Sequence, residues 1–415
     1  MSDRPLRSRP EDDYAFTTRG DMARPAQKFG GRQAVIVEAV RTPIGRGDRN
    51  KGFFRNLHPN ELLGHTFKAL VQRSGIDPHL IESALTGCVQ QFGEQQANVG
   101  RNAWLQAGLP IQTSCATVDS QCGSAQLAVN LAASLISSGV HDVVIGSGVE
   151  HMGRIPFEVG FETARKYGTP WPRAFTERYP ITSQGVAADT IARVWDLPRD
   201  QLDEWALRSH QRAAQATEEG RFSREIVPVR IDGDEIRFDQ GIRSDASMES
   251  IAALEPVFSS EGPTTAATSS QISDGAAAVM LMAPEVAKEL GLTPRARVYD
   301  HLSIGSDPVL MLTGPIPATR SILARNGMTI DDVDLIEINE AFAAVAAAWE
   351  KELSPEMSRV NVNGGAMALG HPVGSTGARL ITTLLHEMER ADKELGLVTM
   401  CCGGGLGTAT LIERV

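Results

Sequence analysis

The chain has 415 residues, 42% of them hydrophobic and 22% charged, with a formal net charge of -11. That length predicts two or three packed domains, because a single core stops growing near such a size, and the ordinary composition excludes a disordered or fibrous chain. The acidic balance leaves no basic footprint for nucleic acid, so the expected partner is a small molecule.

Five cysteines, Cys88, Cys115, Cys122, Cys401 and Cys402, are too scattered for a disulfide scaffold, and no C-x-x-C spacing points to a structural zinc. Free thiols in a reducing, cytoplasmic compartment are expected. No apolar run approaches the roughly 18 to 20 residues of a membrane span, and the first residues lack the apolar core of a secretory signal. Residues 1–33 are rich in Arg but also carry Glu11, Asp12, Asp13 and Asp21, unlike a transit peptide, and read as a flexible extension.

From Gln33 the pattern alternates strand and helix: an apolar run Ala34 to Val40, a helical stretch Asn60 to Ser74, and Ile81 to Val89 as a strand. The segment Ile111 to Val118 leads to Gly123-Ser124, a helix through Leu135, and the run Val143 to Ile145, closed by Gly146-Ser147-Gly148. A similar order returns about 250 residues later, which marks an internal duplication. There Ile322 to Gly327 and Val333 to Ile338 echo Leu70 to Gly75 and Ile81 to Val89. Val362 to Gly365 leads to Gly374-Ser375, a helix Ala378 to Met388, and Leu397 to Met400 before Gly403-Gly404-Gly405. The intervening stretch is more polar, with an amphipathic helix Asp200 to Gly220 and a Gly/Asp-rich segment near Asp232 to Asp245. The expected class is α/β with duplicated halves: 34–151 plus 271–292, an inserted segment 152–270, and 293–415.

Cys122 falls between an apolar strand and an amphipathic helix, so its sulfur is expected at a helix N-terminus, where free N–H groups and the helix dipole stabilise a thiolate. A small buried residue in a strand–helix turn is the alternative. His371 lies in the glycine-dense loop Gly364 to Gly374, where backbone can approach a substrate and an imidazole can take a thiol proton; a structural loop histidine is the other possibility. No neighbour at helical spacing offers His371 a shared metal. Asn339-Glu340 follows a buried strand, at the end where open α/β sheets place ligands, although Asn also caps helices. Cys401-Cys402 ends a strand before Gly403; adjacent residues alternate faces, so only one thiol can point into a site. No P-loop and no G-x-S-x-G elbow is present.

Taken together, the Cys122 segment, Asn339-Glu340-Ala341-Phe342, Gly370-His371-Pro372 and Cys401-Cys402-Gly403-Gly404-Gly405 resemble the thiolase family over residues 34–415. The resemblance implies a layered fold of two βαβαβαββ halves with an inserted loop domain that holds coenzyme A. It implies Cys122 as acyl nucleophile, His371 as its activator, Asn339 as holder of an oxyanion water, Cys401 as acid/base and Gly403 as an oxyanion donor. Arg243, Ser250 and Ser270 match positions near the coenzyme, and Met311 and Phe342 match residues lining the acyl and pantetheine region. The implied reaction is cleavage of a 3-ketoacyl-CoA by coenzyme A. No prosthetic group is needed, coenzyme A is a substrate, and a homodimer or homotetramer away from any membrane is expected. Ketoacyl synthases share the fold but normally lack the second cysteine with Gly-Gly-Gly. Biosynthetic acetoacetyl-CoA enzymes carry a His-Met pair where Ser183-Gln184 stands here, so a wider acyl pocket is expected. The segments Gln271 to Gly275 and Asp307 to Pro315 look similar to degradative actinobacterial lipid and steroid thiolases.

Overall fold

The computed structural model describes residues 32–415; most of the expected N-terminal extension lies outside them. Of that stretch, Arg32 pairs with Asp142 and Glu285, and Gln33 accepts a hydrogen bond from Arg297.

In chain order the first half runs β1 (Val35–Arg41), α1 (Pro59–Ser74), β2 (Ser83–Gly87), α2 (Val99–Gln106), β3 (Ser114–Val118), α3 (Ser124–Ser137) and β4 (Val143–His151). The intervening segment includes α4 (Gln184–Val194) and α5 (Arg199–Glu218), and β5 (Ser273–Met282) returns to the first sheet. The second half runs β6 (Ala296–Gly305), α6 (Pro315–Arg325), β7 (Leu335–Ile338), α7 (Ala343–Leu353), α8 (Thr376–Arg390), β8 (Leu395–Cys402) and β9 (Leu406–Arg414).

Strand order is β3-β2-β4-β5-β1 in the first half and β6-β9-β8-β7 in the second, joined by a short antiparallel pairing of Val35 with Arg297 and Ile36 with Ala296. The halves match strand for strand, with one difference. Where β3 pairs parallel to β2, the second half has an isolated parallel bridge between Val360 and Ile336.

Period-2 alternation sorts side chains onto two buried faces. Along β5, Ala276, Ala278, Met280 and Met282 pack under α1, while Ala277, Val279 and Leu281 pack against α3 and α8. Both faces are covered, which is why the strands read as continuous apolar runs. Each of the Met, Val and Leu side chains contributes about 1.5–3 kcal/mol by leaving water. Helix α8 is buried from Thr376 through Met388, so it lies inside the molecule as a central layer with α3.

The glycines at 146 and 148 do not close a strand, as the sequence pattern had it; β4 runs through them to His151. A Cβ on Gly146 would sit 2.5 Å from Val129 Cα, and one on Gly148 would sit 2.2 Å from the Gly374 carbonyl oxygen. They let α3 and the His371 loop approach the sheet, and alanine at either position would push these elements apart.

The Gly/Asp-rich segment is anchored by charge. Buried Arg41, at the end of β1, binds Asp239 with both terminal nitrogens, at 2.7 and 2.9 Å, and Glu225 through Nε at 2.6 Å. A guanidinium fork matches carboxylate geometry, so removing one partner would leave a buried charge unpaired.

Candidate active site

The nucleophile candidate sits in the turn Asp119–Gly123. Asp119 Oδ1 accepts the Gln121 N–H at 2.8 Å, and Ser124 Oγ accepts the Ser120 N–H at 2.9 Å. Gln121 takes a left-handed conformation, φ 52°, which turns the chain sharply ahead of α3. No side chain caps α3, so its first N–H groups face the turn.

The backbone N–H groups of Gly403 and of Cys122 itself favour the charged form of the Cys122 sulfur. Even so, burial dominates and pushes its thiol up to about 11. The helix N-terminus therefore supplies only part of the activation. Desolvation outweighs the dipole and the two N–H donors, and the sulfur needs a base.

The His371 imidazole is held in the neutral form a base requires. Burial, with the Arg379 charge behind it, lowers its imidazole to about 3, so it is neutral across the physiological range. Asn339 Nδ2 donates to His371 Nε2 at 3.3 Å, and Thr376 Oγ1 lies 2.7 Å from Nδ1 while also donating to the Pro372 carbonyl at 2.9 Å. With the Thr376 proton on Pro372, Nδ1–H donates to Thr376 and Nε2 keeps its lone pair, the tautomer of a base. Asn339 Oδ1 is buried without a protein partner. A buried amide oxygen of this kind calls for a water or a ligand.

Asn339 and Glu340 divide their work. Asn339 turns to His371, while Glu340 turns away and accepts from Ser209 Oγ at 2.6 Å and Asn361 Nδ2 at 2.8 Å. Gly365 packs on that carboxyl, where a Cβ would lie 2.2 Å from Glu340 Cδ. Glu340 thus braces the 361–367 loop that leads to His371.

The two cysteines ending β8 face opposite ways, as alternation requires. Cys401 lies in the cluster that holds Met311 and Phe342; Cys402 turns toward α3, its sulfur accepting the Gly123 N–H. Burial pushes both thiols up, and the Cys122 charge adds to each shift. Both sulfurs are therefore within electrostatic reach of Cys122, and only Cys401 shares the face of the expected acyl and pantetheine residues.

Phe342 forms an edge contact with Phe258, ring centroids 5.8 Å apart. Met311 holds a left-handed φ of 61° beside them; such strain in an unbranched side chain clusters at functional sites. The Ser270 N–H donates to the Ala341 carbonyl at 2.9 Å, placing it against the same segment. Arg243 and Ser250 are exposed. Arg243 follows Gly241, whose carbonyl accepts from Gln271 Nε2; the same amide donates to Met367 and Ala368. Gln271 thereby ties the Arg243 loop to the His371 loop.

Sequence reasoning missed Phe258, which no motif marks, and Glu150. Buried Glu150 accepts the N–H groups of Val89 and Gln90 and the Gln95 amide, and burial pushes it up to about 7. It knits the end of β2 to the His371 loop, since the Gly374 N–H also reaches it. Its position at the C-terminal end of a buried strand is the signal that could have found it. Among the described residues, no cluster of His, Cys, Asp and Glu could hold a metal ion, and no helix is long and apolar enough to cross a membrane.

Comparison with known proteins places this geometry. The thiolase N-terminal domain profile matches residues 34–285, and the thiolase C-terminal domain profile matches residues 292–414. The chain is 42% identical over 389 residues to the steroid 3-ketoacyl-CoA thiolase FadA6 of Mycobacterium tuberculosis, covering 92% of this chain and 94% of that protein. It is 44% identical to a 3-ketoacyl-CoA thiolase of Shewanella loihica, covering 92% and 100%. A crystallised acetyl-CoA acetyltransferase of Bacillus anthracis superposes with a TM-score of 0.84 at 38% identity, over 92% of this chain and 99% of that one. The chain belongs to the thiolase family and is an acyltransferase.

Proposed function

We propose that this thiolase cleaves 3-ketoacyl-CoA with free coenzyme A through an acyl-enzyme on Cys122. The observation that carries the reading is the set of buried groups the two halves provide: Cys122 in the turn ahead of α3, His371 held at its two ring nitrogens by Asn339 and Thr376, and the Cys401 thiol, whose upward shift includes the Cys122 charge.

In the first half-reaction His371 Nε2 takes the Cys122 proton, and the thiolate attacks the 3-keto carbon. The carbonyl oxygen becomes an oxyanion facing the Gly403 and Cys122 N–H groups. The bond between the second and third carbons then breaks. The electron pair stays on the departing acetyl-CoA as an enolate, whose oxygen is held by His371 and by water on Asn339. Cys401 protonates its carbon and is left as a thiolate. In the second half-reaction Cys401 takes the proton of incoming coenzyme A, whose sulfur displaces Cys122 from the acyl group, and the histidine proton returns to Cys122. Each well-placed oxyanion donor is worth about 3–4 kcal/mol in such a site.

Residues 152–270 serve in this reading as the loop domain over the coenzyme. The exposed Arg243 and Ser250 meet its outer, charged part, while Ser270, Met311 and Phe342 lie along the inner arm and the acyl group. Coenzyme A is a substrate, no prosthetic group takes part, and the enzyme works in the cytoplasm as a homodimer or homotetramer without a nucleic-acid or membrane partner. The experiment is a coenzyme A-dependent cleavage assay over a panel of 3-ketoacyl-CoAs. Release of acetyl-CoA with a shortened acyl-CoA is expected, and absence of cleavage across the panel would overturn the reading.

A further inference from the structure

Beneath the Asn339–His371 pair, the same two elements carry a second, charged pair. On β7, Ile336 and Ile338 pack into one core cluster, while Leu335 packs in another with Leu380 and Leu384 of α8. Alternation therefore puts Glu337 and Asn339 on the α8 face, roughly 7 Å apart along the strand. On α8, Arg379 follows by three positions Thr376, which holds His371 Nδ1. It lies on the same side of the helix, roughly 4.5 Å further along. Arg379 Nη1 and Glu337 Oε2 stand 3.5 Å apart, and both side chains are buried.

This arginine differs from the buried Arg41. Arg41 is bound by Asp239 and Glu225 through all three nitrogens. Among the described residues, Nε, Nη1 and Nη2 of Arg379 all lack a hydrogen-bond partner, and so does Glu337 Oε2. The charged groups around Arg379 are Glu337, Arg41, Glu225 and Asp239; burial outweighs them and holds the guanidinium below the usual arginine range. Burial also raises Glu337, with Glu340, Glu225 and Glu387 adding to the shift against the pull of Arg379. The carboxyl thus keeps its proton at neutral pH and leaves the guanidinium charge uncancelled.

That charge falls on His371. The other titratable groups on the neighbouring elements are neutral or turned elsewhere. Cys122 and Cys401 are thiols. Glu340 accepts from Ser209 and Asn361, Glu150 from Val89, Gln90 and Gln95, and Asp274 from the Gly153 N–H. When His371 takes a proton, a second positive charge forms beside the first. Like charge loosens the hold on that proton and makes Nε2–H a stronger donor to an oxyanion.

We propose that Arg379 is a positioning residue of the reaction: it keeps an uncancelled positive charge beneath the Asn339–His371 pair, so that the proton taken from Cys122 is not trapped on the imidazole. The proposal rests on the thiolase reading above and adds a residue that touches neither substrate nor coenzyme.

The test follows kcat/KM for 3-ketoacyl-CoA cleavage between about pH 7.5 and pH 5, with melting temperatures confirming that each enzyme is folded. Four enzymes are compared: wild type, Glu337→Gln, Arg379→Lys, and the double variant Arg379→Met with Glu337→Gln, in which the layer is neutral. Wild type should be flat over this interval. In the double variant the acid limb should move up by about one to three pH units, so that kcat/KM falls about threefold or more toward pH 5. Arg379→Lys and Glu337→Gln, which keep the cation, should both stay flat. A double variant slowed equally at every pH overturns the proposal, since a purely structural role would act that way. An acid limb in Glu337→Gln, or a wild-type limb near the ordinary histidine value of about 6.5, also overturns it, and these two decide even if the double variant fails to fold. Absence of cleavage by wild type at any pH overturns the thiolase reading and the proposal with it.

Discussion

The two halves of the molecule share a frame and differ at one connection. In the first, β3 leads into α3 through the short turn Asp119–Gly123, which carries the buried Cys122 to the helix end. In the second, the strand shrinks to a single bridge at Val360, and the long loop Asn361–Ser375 precedes α8. That loop wraps the site, delivers His371, and is braced by Glu340, Ser209 and Gln271. Duplication thus supplies two helix ends facing one centre, where a Cβ on Gly377 of α8 would lie 2.3 Å from the Gln126 N of α3. In the proposed reaction the short connection supplies the nucleophile and the long one its base.

The division of labour can be broken at several points. The largest expected effect comes from Cys122→Ala, which should lower cleavage by about 10⁴-fold or more, the scale of losing a nucleophile that acts with its base. Replacing the partner on the second half separates the half-reactions: Cys401→Ala should lower carbon–carbon cleavage by about 10²–10⁴-fold, while Cys122 still takes an acyl group from a simple acyl-CoA. Cys402→Ala, whose sulfur faces α3, should cost far less. Equal damage from both substitutions, read by cleavage rate beside acyl-enzyme yield, would show that the wrong face was chosen. Asn339→Ala removes the amide at His371 and should lower kcat by about 10²–10³-fold with Cys122 acylation by a simple acyl-CoA little changed.

Substrate length gives a smaller effect. Ser183 caps α4 and Gln184 starts it, so the pocket lacks a bulky apolar pair at that edge. Medium-length, branched or ring-bearing 3-ketoacyl-CoAs should exceed acetoacetyl-CoA in kcat/KM by about one to two orders of magnitude, at roughly 0.8 kcal/mol per buried methylene. Preference for acetoacetyl-CoA at saturating coenzyme A would assign the enzyme to short-chain acetyl transfer instead.

The smallest effect is on stability. Burial lowers His371 and His386 to about 3 and His210 and His301 to about 4, against 6.5 in the unfolded chain. Below 6.5 the unfolded chain therefore binds more protons, and stability falls as pH drops. Glu150, raised to about 7, and Glu337, raised to about 8, act in the opposite sense, since the unfolded carboxyls ionise first as pH rises from 4.5. Asp119, Glu225 and Glu340 are raised by burial too, but less far, so the four strongly lowered histidines outweigh the five carboxyls and stability falls on acidification. The melting temperature should fall between about pH 6.5 and pH 5, and a rise over that interval would show that the carboxyls dominate.

Much of this was legible in the sequence, and for a physical reason. Periodicity marks elements whose faces are buried, so β1, α1, α3 and α8 stand out within a residue or two. The four site segments lie at strand or helix ends, where polar residues interrupt apolar runs. What escaped was set by tertiary packing. Gly146 and Gly148 look like a turn because glycine's local preference is permissive, and only the crossing of α3 over β4 explains them. The Cys122 thiol looks activated because a helix start is visible locally and burial is not. Phe258, in the inserted segment, acquires meaning only once Phe342 is brought beside it from the second half.

The most direct test is to trap the intermediate. Enzyme incubated with a 3-ketoacyl-CoA in the absence of free coenzyme A, digested and mapped by mass spectrometry, should carry the acyl group on Cys122 alone. An adduct on Cys88, Cys115 or Cys402, with Cys122 unmodified, would contradict the assignment of the nucleophile to the short turn of the first half.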